Sequence, residues 1–239
     1  ISLFSIKQLY GLYFYDDVTD KNVDLKTMLD FAIAASFDEN VSGMMDEGTT
    51  EKLNQLSAGI DNFTAQMEMP IDKATLKGLF YQNYGVVLTD EQLTAIYKGY
   101  FAYIGEQEAE TVPFLPIMKF LAASGQITDP GAIKTIEGYD ALYKAINASY
   151  GYENFLPALS EIATGLSGSA PEIDVTNSEI RQIYIMYFYR AGTMPGGRMN
   201  GKTFADFALA EAEIDPVIGA QLNEENRKKL SDVLVVERY

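Results

Sequence analysis

The chain has 239 residues, 47% of them hydrophobic and 22% charged, with no Cys and no His. Those two absences exclude disulfides, thiol nucleophiles, Cys- or His-ligated metal sites, and Ser-His-Asp or Cys-His catalysis. The net charge of -16 opposes phosphate backbones and anionic headgroups, so no nucleic-acid partner is expected.

Apolar residues at i, i+3, i+4, i+7 and i+8 mark helices from the start. Ile6, Leu9, Tyr10, Tyr13 and Phe14 place the first over 5–16, and Leu25, Met28, Leu29, Ala32 and Ile33 the second over 24–36, with Asp24 as its cap. Further helices are predicted over 50–66 and 72–84. Thr89-Asp90-Glu91-Gln92 is a capping-box pattern that opens a helix over 91–104. Helices over 114–124, 130–148, 152–166, 178–191, 201–213 and 223–235 complete the chain, Asn200 standing before the helix at 201. Gly105, Gly125, Gly151 and Gly192 read as helix stops. No alternating strand pattern occurs; the pieces near Val23, Val112 and Met199 suit at most single paired extended residues. Linkers are expected at 67–70, 127–131 and 167–178.

The first helix recurs. Adding 87 to the numbers of Ile6, Leu9, Tyr10, Tyr13 and Phe14 gives Leu93, Ile96, Tyr97, Tyr100 and Phe101; adding 87 again gives Ile180, Ile183, Tyr184, Tyr187 and Phe188. A second block follows each copy: Lys26-Thr27-Met28-Leu29-Asp30-Phe31, then Pro116-Ile117-Met118-Lys119-Phe120-Leu121, then Lys202-Thr203-Phe204-Ala205-Asp206-Phe207. The fold expected is all-α, built of three imperfect repeats of about 87 residues, roughly four helices each with the last truncated. The repeat units span 1–70, 71–166 and 167–239 and together form one helical domain. Aromatic residues at helical spacing read as packing between stacked helices, with an exposed ligand platform as the alternative.

Candidate sites are sparse, and no catalytic, cofactor-binding or metal-ligating residue is assigned. The loop Asp16–Asp24 sits between two helices as an EF-hand loop does, but a 12-residue frame from Asp16 puts Lys21 at the turn glycine and Thr27 at the bidentate glutamate. Its counterpart Gly192–Arg198 has no carboxylate. Gly196-Gly197-Arg198 lacks the strand and Lys-Ser/Thr of a phosphate loop. The Asn40, Asn62 and Asn147 triplets match the glycosylation pattern. Met44-Met45 and Met67-Glu68-Met69 suit an adaptable apolar surface or gap filling. Arg227-Lys228-Lys229, beside Glu224 and Glu225, makes no basic stripe. No stretch reaches the ~18 apolar residues of a spanning helix. The bare Ile1 start, without initiator Met or leader pattern, points to a mature form or an excised piece.

The combined pattern carries a resemblance. Leu9-Tyr10-x-x-Tyr13-Phe14-Tyr15-Asp16-Asp17, Leu25–Phe31, Gly43-Met44-Met45-Asp46-Glu47-Gly48-Thr49-Thr50-x-x-Leu53 and the Leu88–Gln92 step resemble the helical extracytoplasmic insertion of MMPL-type transporters of the RND superfamily. The resemblance implies a non-catalytic extracytoplasmic domain, tethered to the membrane through the rest of an exporter, that shapes a path for a hydrophobic or lipid substrate or docks partners. It carries no proton-relay residue onto this chain. A free-standing secreted or surface helical-repeat binding module is the alternative. A His-free hydrolase, requiring a buried and closely spaced Asp/Glu pair in a cleft, is a third reading.

Overall fold

Helix starts in this chain are set by short polar side chains that take up the first free backbone N–H groups. Asp24, Asp46, Asp72 and Asp129 each accept from the N–H three residues on, to Thr27, Thr49, Thr75 and Ala132, at 2.9, 2.6, 2.7 and 2.7 Å. The backbone donors at Thr49 and Thr75 hold the Asp46 and Asp72 carboxyls below the usual carboxylate range. Thr89 and Gln92 close a reciprocal capping box, with Gln92 N–H donating to Thr89 Oγ1 and Thr89 N–H to Gln92 Oε1.

The computed structural model describes residues 21–36, 45–170, 172–190 and 201–236. The first copy of the aromatic stripe, most of the Asp16–Asp24 loop, the Asn40 triplet, Met44 and the Gly192–Arg198 loop with Met199 and Asn200 lie outside them. Among the described residues the chain is all-α, as the sequence predicts. Its helices are α1 (Leu25–Ser36), α2 (Glu47–Met67), α3 (Lys73–Tyr84), α4 (Asp90–Ile104), α5 (Phe114–Ala123), α6 (Pro130–Ile146), α7 (Tyr152–Ser167), α8 (Asn177–Arg190), α9 (Gly201–Ile214), α10 (Pro216–Gln221) and α11 (Glu224–Val236). No helix among the described residues is long and apolar enough to cross a membrane.

Among the described residues four two-residue strands lie at the helix junctions: β1 (Val23–Asp24), β2 (Pro70–Ile71), β3 (Val112–Pro113) and β4 (Ser149–Tyr150). They form two antiparallel bridges, β1 with β4 (Val23 opposite Tyr150) and β2 with β3 (Ile71 opposite Val112). Two findings correct the sequence reading. Gly151 is not a helix stop: its φ of -77° is that of the residue opening α7. Only Gly105 and Gly125, among the predicted stops described, adopt the left-handed conformation that spares a Cβ clash. The short helix α10 is the second addition; Asp215 caps it and Pro216 starts it.

The chain divides into two compact units: a continuous unit, Ala58–Ile146, and a split unit, Ile1–Ser57 with Asn147–Tyr239. The first boundary falls within α2 and the second at the end of α6.

In the continuous unit, α4 carries the stripe Leu93, Ile96, Tyr97, Tyr100 and Phe101, and all five are buried. They form one core with Leu76 and Phe80 of α3, Ile117, Met118 and Leu121 of α5, and the bridge residues Ile71 and Val112. Tyr97 lies deepest, 2% exposed, and its hydroxyl donates to the Ile71 carbonyl at 2.6 Å. In the split unit the same position of the next copy does the same work. Tyr184 of α8 is fully buried, meets Phe155 of α7 edge-to-face at 6.0 Å, and donates to the Tyr150 carbonyl at 2.8 Å. So each described stripe packs on the helix before it and ties its central phenol to a bridge strand.

Candidate functional site

A groove in the continuous unit encloses about 700 Å³. Its floor is Met67 at the end of α2, Leu115 and Phe120 of α5, and the Tyr100 ring. One wall is Tyr103 and Ile104, where α4 runs out past its buried stripe. Tyr103 is 72% exposed and Ile104 37%. Phe120 organises the aromatic side: its ring lies edge-to-face on Tyr100 at 5.8 Å and tilted against Tyr103 at 5.7 Å. Helices α4 and α5 stay close enough for this because Gly99 faces Phe120; a Cβ there would come within 3.2 Å of the ring.

The opposite wall is polar. Tyr143 of α6 donates its hydroxyl to Glu68 at 2.6 Å. Lys119 of α5 reaches Asp140 of α6 at 2.6 Å, and Lys144 reaches the other oxygen of Asp140 at 2.7 Å. The hydrogen bond to Glu68, with burial behind it, raises the Tyr143 phenol above its ordinary value. Burial raises Tyr100, and the Glu106 carboxylate adds to it. Burial also pushes Asp140 up, but Lys119 and Lys144 outweigh it and hold the carboxyl below the usual range. The phenols therefore stay protonated and Asp140 stays ionised at neutral pH. None of the three is poised to pass a proton there, which is what general acid–base chemistry requires.

In the split unit two carboxylates meet one guanidinium. Glu211 and Asp215 are both buried. Arg181 lies 3.5 Å from the first and 3.4 Å from the second. Ser178 donates to Asp215 at 2.7 Å, and the Ile218 N–H donates to the same oxygen at 3.2 Å, capping α10. The pair thus joins α8, α9 and α10 through one shared guanidinium and the cap of α10.

The other residues singled out from sequence resolve individually. The Tyr-x-x-Tyr-Phe stripe of α4 is core. Met45 and Met67 are buried, Met67 lining the groove, while Met69 is 43% exposed. Arg227 bonds Glu213 at 2.6 Å and the Leu222 carbonyl at 2.8 Å, which engages it within the corner of α9, α10 and α11. Asn62 lies inside α2 rather than on a loop. Among the described residues no group of three or more Asp or Glu is placed to hold a metal ion.

The groove itself was not read from the sequence. The available signal was α4's continuation through Tyr103 and Ile104, beyond the buried face, together with Met67-Glu68-Met69. Comparison with family models, with curated proteins and with solved structures returns no match for this chain.

Proposed function

We propose that this chain is a non-catalytic binding domain whose working surface is the groove of the continuous unit. One observation carries the reading: the groove is apolar and ligand-sized, yet Tyr100, Tyr143 and Asp140 are all driven away from neutral titration. Ligand sites typically enclose roughly 300–1,000 Å³ with a few placed polar groups, and this groove has that size and make-up. Binding, rather than proton transfer, is what such a lining supports.

The resemblance to the extracytoplasmic insertion of MMPL-type exporters supplies a setting for that role. There the groove would form part of a path for a hydrophobic or lipid cargo, the remainder of the transporter being the partner. Spanning segments of about 20 apolar residues encoded on both sides of this stretch would support that setting. A leader upstream with a stop or anchor soon after Tyr239 would favour the free-standing module.

Binding itself is tested with octyl glucoside, an uncharged chain-bearing probe, followed by calorimetry. Saturable binding that Ala123→Trp abolishes is the expected result, since Ala123 lines the groove and is exposed. Binding unaffected by that substitution would overturn the assignment.

A further inference from the structure

The charges around the groove are unequal in a way its shape does not require. Its own cation, Lys119, is spent on Asp140, which Lys144 also holds. Asp140, Glu68 and Glu106 against Lys119 and Lys144 leave one negative charge in excess. Glu68 lines the groove and takes a hydrogen bond only from the neutral Tyr143 phenol. Glu106 is exposed, stands two residues past Ile104 at the end of α4, and its field reaches the Tyr100 phenol. Neither glutamate has an ion-pair partner among the described residues. The groove that Glu68 lines also holds the Tyr100, Tyr103 and Phe120 rings, whose faces attract cations.

We infer that the groove selects a small cationic amphiphile, with its apolar body on Met67, Leu115 and Phe120 and its ammonium or guanidinium group between Glu68, Glu106 and the Tyr103 ring. This rests on the binding role proposed above and adds the charge of the ligand. An anion meets that excess negative charge there. An uncharged molecule gains only the apolar contacts. A cation gains both, and its electrostatic share weakens with salt because the glutamates face solvent.

The test compares octyltrimethylammonium, octyl glucoside and octyl sulfate by calorimetry on the whole chain, each below its micelle concentration, at low and high salt. The expected order is cation, then uncharged, then anion, with the cation ahead by about tenfold at low salt and by less at high salt. Glu68→Gln with Glu106→Gln should remove most of that lead, read as the ratio of octyltrimethylammonium to octyl glucoside affinity on the same variant. Both changes sit at exposed side chains, and circular dichroism checks that the fold persists. Equal affinities, or a preference for the sulfate, overturn the cation inference while leaving the groove's binding role standing. A cation preference that survives the double substitution also overturns it, since the chain's overall charge of -16 would then be the cause. If none of the probes binds, the binding role fails, and this inference with it.

Discussion

Removing the Tyr97 hydroxyl and removing the whole ring should have separable costs. Tyr97→Phe keeps the ring in its core among Leu76, Phe80 and Ile117 and loses only the 2.6 Å bond to the Ile71 carbonyl. A neutral hydrogen bond of this kind contributes about 1 kcal/mol net, since the phenol also sheds its own desolvation cost. Tyr97→Ala also removes the ring from a site only 2% exposed; a buried aromatic replaced by Ala costs about 3–5 kcal/mol. The bond has a pH signature too. Burial, with the Asp72 charge adding to it, pushes the Tyr97 phenol from 10.0 up to about 12. A group whose folded pKa is raised stabilises fully below its unfolded pKa and loses that contribution as pH rises to the folded one. The wild type should therefore lose stability between about pH 10 and 12, and Tyr97→Phe should lose less over that window. Urea denaturation followed by far-UV circular dichroism measures both substitutions across that range. Equal costs for Phe and Ala would show that the hydroxyl, not the ring, carries the site. An Ala cost near zero would mean that the stripe is not core at all.

Other expectations follow from single contacts. Gly219→Ala should destabilise by about 1–3 kcal/mol, because the new Cβ would meet the Ala212 carbonyl oxygen at 2.8 Å; Gly138→Ala meets nothing within 4 Å and should stabilise by about 0.5–1 kcal/mol as an exposed helix position. Thermal denaturation of the two variants should move in opposite directions. Arg181→Met should cost toward the lower end of about 3–5 kcal/mol, Arg181 being a quarter exposed, by removing the guanidinium that Glu211 and Asp215 share. Urea denaturation at neutral pH measures that deficit; a cost near zero would contradict the pairing. Asp72→Asn keeps a capping side chain but removes a carboxyl whose pKa is lowered in the fold. A lowered folded pKa gives stability that is present above the unfolded value and lost as pH falls. The variant's stability should accordingly fall less steeply than wild type's below about pH 4 in urea melts.

Helices were legible because their signals are local. The stripe from Leu93 to Phe101, the Thr89–Gln92 box and Gly105 together bracket α4 to within a residue. The bridges were half legible. Val23 and Val112 were read as extended, but their partners, Tyr150 and Ile71, lie far along the chain in two-residue strands too short for any periodicity. Helix α10 escaped because six residues cannot show a helical repeat, although Asp215-Pro216 carries a start signal. Gly151 misled because a glycine between helices serves a stop or a start equally well, and only its φ tells which. The groove was illegible for a different reason. Met67, Tyr103, Leu115, Phe120 and Tyr143 come from four helices. Tyr103 differs from Tyr100 only in its position around the same helix. Spacing shows which residues leave the buried face; only tertiary packing shows what else they meet.

The most direct test of the groove as working surface is a methyl spectrum of the chain labelled at its 9 methionines, titrated with octyl glucoside. Met67 lines the groove, whereas Met28 and Met186 are buried in the split unit. The account predicts that the Met67 methyl shifts saturably while Met28 and Met186 stay in place. Movement of Met28 or Met186 with Met67 unmoved would contradict it.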